Sequence, residues 1–365
     1  MSHQSLQPEA GDLFSAMSQM DHEQVVFCSD EKTGLKAIIA VHNTVLGPSL
    51  GGTRFWSYTS EKDAITDVLR LSRGMTFKSA ISGLNLGGGK AVIIGNSDQL
   101  RNREPLFRRY GKFVNSLNGK YITAEDVGTS PADIEFISME TNFVAGKPEQ
   151  VGGGGDPSPV TAYGTYLGMK AAQQFASGND SLAGKRVMVQ GAGHVGYYLI
   201  GHLVKEGAHV MVSDIHAGRL EQVVKEFNAE VVSPDQVYDA PMDIYAPCAL
   251  GATVNDDSIN RLQCSIIAGA ANNQLKDEVT HGRMLMDKGI VYAPDFLINA
   301  GGVINCYVEL EGYNRDRAYQ KAEVIYQSTL NILERSRTDG TTPQQAAIQI
   351  AQERIAAVAA MNAVL

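Results

Sequence analysis

The chain has 365 residues, enough for two domains with separate cores, and its 44% hydrophobic and 19% charged residues argue against disorder. A formal net charge of −9 with no block of basic residues argues against nucleic acid or an anionic membrane as a partner. Cys28, Cys248, Cys264 and Cys306 are scattered without a CxxC pair, so neither a disulfide framework nor a metal site is expected.

The N-terminal MSHQSLQPEAGDLFSAM has no basic segment followed by an apolar one, and no run reaches the ~18 apolar residues that would span a bilayer. A soluble cytoplasmic protein is the expectation. Residues 9–20 read as a short helix with Leu13, Phe14 and Met17 inward. VVFCSD (25–30) and KAIIAVHN (36–43) read as strands around the turn EKTG. GPSLGGTRFW reads as a Gly/Pro loop. Ala64, Ile65, Val68, Leu69 and Met75 then share one face of a helix ending near Lys78. Three glycines precede Lys90, which stands at the mouth of a buried strand, KAVIIG (90–95). Leu106, Phe107, Tyr110, Val114 and Leu117 mark another helix, and the strand YITAED leads to Asp126. Thr129 or Ser130 caps the next helix, with Pro131 in its first turn.

VGGGGDPSPV (151–160) reads as a linker or hinge, and Ser158 as the cap of a helix starting at Pro159. From Lys185 onward strands and helices alternate: KRVMVQG, AHVMVSD, AEVVS, DIYAPC, SIIAGA and GIVYAPD are the strands, which implies a parallel sheet with right-handed crossovers. Two helices close the chain. The last begins at Thr342–Pro343 and carries Ala347, Ile348, Ala351 and Ile355 on one face. The fold class is therefore α/β: an N-terminal α/β domain over residues 1–150 and a Rossmann-type domain over 151–341, with the helix at 342–365 folding back onto the first.

Within GMTFKSAISGLNLGGGK (74–90), Lys78 and Lys90 stand twelve residues apart. The glycines let backbone approach a ligand closely, and a lysine at a strand end is well placed for a site. GAGHVG (Gly191, Ala192, Gly193, His194, Val195, Gly196) fits G-x-G-x-x-G between a strand and a helix. Gly191 permits the tight turn, Gly193 lets backbone reach a pyrophosphate, and Gly196 permits close helix–strand packing. The helix N-terminus supplies N–H donors. Asp214 ends the following strand, where a carboxylate accepts from both ribose hydroxyls and repels a 2′-phosphate; NAD is the cofactor implied. Arg219 reads as a surface residue. Asp126 and Asn272, taken singly, read as turn residues.

In series, GPSLGGTR, GMTFK, GLNLGGGKAVI, TAEDVGT, PSPVTAYG, GAGHVG, APCALG, GAANNQL and INAGGVIN resemble the amino-acid dehydrogenases acting on glutamate, leucine, phenylalanine and valine. The resemblance runs over nearly the whole chain and is strongest to the leucine-acting members. It implies an N-terminal substrate-binding and oligomerisation domain, an NAD-binding domain and an active-site cleft between them. By resemblance, Lys78 binds the substrate α-carboxylate with the backbone of Gly51 and Gly52, Lys90 is the catalytic lysine, and Asp126 assists at the amine. Asn272 lies near substrate and nicotinamide ribose, Thr161 at the nicotinamide amide, and Cys248 and Ala249 of APCALG on the cofactor side. Leu50, Ala124, Val303 and Cys306 line the side-chain pocket, Cys306 standing where a leucine enzyme is expected to carry valine. The implied reaction is reversible NAD-dependent deamination of a branched-chain L-amino acid by a homo-oligomer, an octamer by resemblance, with no nucleic acid or membrane partner. An aromatic amino-acid dehydrogenase is the alternative, and a silent NAD-binding regulator a more distant one.

Overall fold

The computed structural model describes residues 13–362, which divide into two compact units. The first takes residues 13–156, Cys306–Asn314 and residues 352–362; the second takes Pro157–Asn305 and Arg315–Ala351. Among the described residues, no helix is long and apolar enough to cross a membrane.

The first unit begins with α1 (Leu13–Met20), β1 (Gln24–Asp30), β2 (Leu35–Asn43), β3 (Ser49–Trp56) and α2 (Glu61–Ile81). It continues with β4 (Gly87–Ile94), α3 (Glu104–Ser116), β5 (Tyr121–Glu125) and α4 (Pro131–Ser138). The five strands lie in the order β1-β2-β4-β3-β5. β2 is antiparallel to β1 and β4, whereas β3 is parallel to β4 and β5. Alternation sorts the side chains by face. Ile39, Ile93 and Phe55 pack with Phe107 and Tyr110 of α3, while Ile38, Ala40 and Val92 pack with Ala64, Val68 and Leu69 of α2. Lys90 has the parity of Val92 and so lies on the α2 face.

Three readings of this unit change. GPSLGGTRFW is largely strand β3, not a loop: Thr53 and Phe55 alternate with Gly52 and Arg54, and glycine replaces the bulky residues that would mark a strand. Lys90 is the fourth residue of β4 and not at its mouth, because the preceding glycines are themselves strand. Those glycines are steric necessities. A Cβ on Gly88 would sit 2.1 Å from the Thr76 backbone nitrogen, and one on Gly51 1.7 Å from the Gly89 carbonyl oxygen. In α1, Ala16 is buried and Phe14 is 78% exposed, since Leu13, Ala16, Met17 and Met20 form the inward stripe. Residues 9–12 of that expected helix lie outside the described residues. At α4, Ser130 is the cap: its hydroxyl accepts from Asp133 N–H and the Asp133 carboxylate accepts from Ser130 N–H.

The second unit opens with α5 (Ser158–Ser177), β6 (Arg186–Gln190), α6 (His194–Glu206), β7 (His209–Ser213), α7 (Ala217–Phe227) and β8 (Glu230–Val231). Next come β9 (Ile244–Pro247), α8 (Asp256–Arg261), β10 (Ile266–Ile267), α9 (Thr280–Asp287), β11 (Val291–Tyr292) and α10 (Asp295–Ile298). α11 (Gly301–Leu310), α12 (Arg315–Ala322), α13 (Val324–Asp339) and α14 (Pro343–Asn362) complete the chain. All six expected strands form one parallel sheet in the order β11-β10-β9-β6-β7-β8. This is the doubly wound dinucleotide-binding order, with its switch point between β6 and β9. Ser158 is not a cap but the first residue of α5; Pro157 occupies the cap position and contributes no side-chain hydrogen bond.

Two histidines, His42 buried and His22 partly buried, join α1, β2 and α2. His42 Nε2 donates to the Met20 carbonyl at 2.9 Å and its Nδ1 accepts from Thr76 Oγ1 at 2.7 Å. His22 Nε2 lies 2.8 Å from Ser72 Oγ. Burial above all pushes His42 down to about 3 and His22 to about 4, from the ordinary 6.5. Both bind protons more weakly folded than unfolded, so their contribution to stability is whole above about 6.5 and is lost as pH falls toward 4. The melting temperature, followed by calorimetry, is therefore expected to drop across that window, and His42→Gln to flatten the drop. A melting temperature insensitive to pH there would contradict this role.

Candidate active site

Lys90, Arg54 and Asp126 meet on the α2 side of the first sheet. Parity directs Lys90 from β4 and Arg54 from β3 to that side, and β5 ends one residue before Asp126. Lys90 Nζ lies 2.6 Å from Asp126 Oδ2, with the lysine side chain only 9% exposed. Arg54 Nε lies 3.4 Å from the same oxygen. Thr129 fixes the backbone: Asp126 N–H donates to Thr129 Oγ1 at 2.9 Å, and that hydroxyl donates to the Asp126 carbonyl at 2.7 Å. Burial pushes the Asp126 carboxyl up, but the Lys90 ammonium and then the Arg54 guanidinium outweigh it and hold the group below the usual range. Gly52 leaves the space: a Cβ there would stand 2.9 Å from Asp126 Cβ.

The other residues assigned to substrate are placed as follows. Lys78 is half-buried in the last turn of α2. Leu50 on β3 and Ala124 on β5 are 2% and 6% exposed. Cys306 on α11 is in the same unit; burial, then the charges of Glu309 and Glu125, push its thiol up to about 12. Glu309, one turn further along, accepts N–H bonds from Gly146, Lys147 and Gly154 at 2.9, 3.2 and 2.9 Å, which ties down the Gly-rich tract. Val303 is buried on α11 within the second unit.

In the second unit a cleft of about 410 Å³ opens at the switch point, lined by Gly191, Gly193, Asp214, Arg219, Cys248 and Ala249 among others. Gly191 turns at φ +112°, a left-handed backbone that favours glycine, and donates to the Ser213 carbonyl at 2.7 Å. Gly196 lies behind the cleft, where a Cβ would stand 2.0 Å from the Gly191 oxygen. His194 and Val195 open α6, so their backbone N–H groups belong to its first turn. The Asp214 carboxylate is held by Ala192 N–H and His216 N–H, each at 2.8 Å. Burial raises this carboxyl, but those two N–H bonds and Arg219 bring it below its usual range. Arg219 Nη1 lies 3.7 Å from Asp214, so this arginine borders the cleft instead of a featureless surface.

Thr161 and Asn272 do not border that cleft. Thr161 lies in the first turn of α5, where Gly301 crosses it so closely that a Cβ on Gly301 would meet Thr161 Cα at 2.4 Å. Asn272 Oδ1 accepts from Asn299 Nδ2 at 2.7 Å, in a loop pinned by Gln274, which donates to the Gly269 and Ala271 carbonyls.

Sequence reasoning missed Arg54. Its signal was present in GGTRFW, where reading a strand puts Arg54 and Gly52 on one face. Reasoning along the chain also missed Arg354 of α14. Its guanidinium donates to the Ala80 and Leu84 carbonyls at 2.8 and 2.9 Å, closing the C-terminal end of α2 just past Lys78.

The glycine turn, the N–H groups of α6 and the fixed acid of Asp214 suit a dinucleotide, and a buried lysine–carboxylate pair suits proton transfer; the class these parts define is a nicotinamide-dependent dehydrogenase. Comparison with known proteins narrows it. Residues 22–143 match the family described as Glu/Leu/Phe/Val dehydrogenase, dimerisation domain, and residues 211–363 match glutamate/leucine/phenylalanine/valine dehydrogenase. A leucine dehydrogenase of Thermoactinomyces intermedius is 56% identical over 94% of this chain and 93% of its own. A valine dehydrogenase of Streptomyces coelicolor is 46% identical over 93% of each. The crystal structure of L-tryptophan dehydrogenase from Nostoc punctiforme superposes with a TM-score of 0.84 at 45% identity, covering 95% of this chain and 99% of that one. The chain belongs to the Glu/Leu/Phe/Val amino-acid dehydrogenase family.

The geometry around Asp126 carries its own test. Lys90→Met removes one of the two cations at Oδ2, so the Asp126 carboxyl is expected to titrate higher than in the parent, followed by carbon NMR of labelled aspartate. An unchanged or lower titration would contradict the pairing.

Proposed function

We propose that the protein catalyses reversible NAD-dependent oxidative deamination of branched-chain L-amino acids, leucine first and valine and isoleucine with it, to the 2-oxo acid and ammonia. The observation that carries this reading is the buried Lys90–Asp126 pair on strands whose neighbouring residues, Leu50 and Ala124, are apolar. Leucine dehydrogenases at 53–56% identity support the choice of substrate. A homo-octamer in the cytoplasm is part of the proposal; the description of the matched N-terminal family as a dimerisation domain supports self-association.

The residues divide the work. Lys78 pairs with the α-carboxylate, helped by the backbone of Gly51 and Gly52. Gly191, Gly193 and the first turn of α6 hold the pyrophosphate, Asp214 the ribose hydroxyls, and Thr161, Asn272, Cys248 and Ala249 the remaining cofactor side. The nicotinamide, when bound, takes up the hydride from Cα. Lys90 accepts the proton of the water that attacks the resulting iminium carbon, and Asp126, ionised before the step, takes up and passes on the proton at the amine. Lysine serves as a base in its neutral form, so its proton must leave toward solvent or Asp126 in each cycle.

An apolar lining of Leu50, Ala124 and Cys306 in the first unit leaves a glutamate side-chain carboxylate unpaired, which costs several kcal/mol. Among apolar substrates discrimination is weaker, about 1–3 kcal/mol per methylene. The test is a screen of the amino acids for reduced-cofactor formation, run with NAD and with NADP. Leucine, valine and isoleucine are expected to react with NAD, with glutamate and NADP very poor, because the fixed Asp214 carboxylate repels a 2′-phosphate. A higher kcat/KM for phenylalanine than for leucine would replace this reading with the aromatic one, which the tryptophan-acting relative keeps in view. Equal use of NAD and NADP would overturn the role given to Asp214.

A further inference from the structure

We propose that Arg54 is a positioning residue for the reaction: braced by Asp67 and Tyr58, its guanidinium favours the ionised form of the Asp126 carboxylate between proton transfers and keeps it turned toward Lys90. The inference rests on the reading of Lys90 and Asp126 as the proton-handling pair.

The brace is built from three elements. Arg54 projects from β3 on the α2 side, and Gly52, two residues before it on the same face, adds no side chain to the space. Its Nη1 donates to Asp67 Oδ2 of α2 at 2.8 Å, and Tyr58 OH donates to the same oxygen at 2.7 Å. Asp67 Oδ1 faces Arg70 Nη2 at 3.6 Å. The other edge of the guanidinium, Nε, reaches Asp126 Oδ2 at 3.4 Å. Tyr58, Asp67, Arg54, Asp126 and Lys90 thus form one chain of contacts, from a connection beyond β3 to the reacting lysine.

The need for Arg54 follows from the chemistry of its neighbour. Lys90 works as a base only when neutral, and at that moment it stops neutralising Asp126. A carboxylate left alone in a partly buried site takes up a proton. An arginine stays protonated at any working pH, so it supplies the charge that Lys90 withdraws. Of the other groups around Asp126, the Val127 N–H also favours the ionised form but carries no charge, and Glu125 beside it on β5 is itself raised, by burial first and then by Asp156, Asp133 and Asp126. Tyr121 of β5, buried and raised, adds no positive charge. Arg54 is therefore the one permanent cation touching Asp126 among the described side-chain contacts.

The test combines kinetics with pH. In Arg54→Gln, kcat for the best amino acid is expected to fall about tenfold to a hundredfold with KM changed by less than about threefold. The acid limb of the kcat profile should move to higher pH, since the carboxylate loses a counter-charge. Arg54→Lys should restore most of that limb, and Asp67→Asn, which only loosens the brace, should move it the same way by less. Arg54→Gln combined with Asp126→Asn should be no slower than Asp126→Asn alone. An unmoved acid limb in Arg54→Gln, a raised KM with kcat intact, or additive losses in the double variant would overturn the role of Arg54. Asp126→Asn with full turnover would instead overturn the reading of the pair on which it rests. If Arg54→Gln does not fold, the limb in Asp67→Asn decides, and an unmoved limb there counts against the proposal.

Discussion

The first unit depends on the burial of one ion pair, Lys90 with Asp126, between strands packed too closely for any side chain to intervene. Burying two charges is costly unless their geometry is good and further hydrogen bonds satisfy them. Here the 2.6 Å contact and the flanking Arg54 guanidinium set positive charge against the carboxylate, while Thr129 clamps the Asp126 backbone. The glycines follow from it. Gly51 and Gly52 bring β3 against its neighbours, and Gly88 brings α2 down onto β4, so the helix bearing Lys78 and the strand bearing Lys90 lie against each other. Removing Asp126 would leave the Lys90 charge buried without its carboxylate, which is costlier than losing the contact itself.

The second unit presents a different arrangement, a cleft at the switch point of its parallel sheet. The backbone there offers a left-handed glycine at Gly191, a close pass at Gly196 and the N–H groups of the first turn of α6. Two N–H bonds hold the Asp214 carboxylate in place at the rim of that cleft. Preorganised donors and acceptors of this kind lower the ordering cost of binding.

Much of this was legible in the chain, and for physical reasons. The second unit reads cleanly because buried parallel strands are short apolar runs separated by amphipathic helices, so all six strands from KRVMVQG to GIVYAPD stand out. Asp214 follows from its position at the end of one of them. The first unit reads less well where function bends the rules. Strand β3 looks like a loop because packing replaces β-branched residues with glycine, and that misreading hides Arg54. The same logic placed Lys90 at a strand mouth when it lies inside the strand. Phe14 was misplaced because one helical turn cannot separate two neighbouring apolar residues by period alone. Contacts between distant segments, such as Arg354 on the end of α2, leave no local signal at all.

The central claim is that Lys90 is the base of the reaction. The most direct measurement is the turnover of Lys90→Ala with its best amino acid, with and without added small primary amines, alongside cofactor affinity. The account expects a loss of about a thousandfold or more, unchanged cofactor affinity, and partial recovery that rises with the concentration of free-base amine. Turnover close to that of the unaltered protein, independent of added amine, would contradict it.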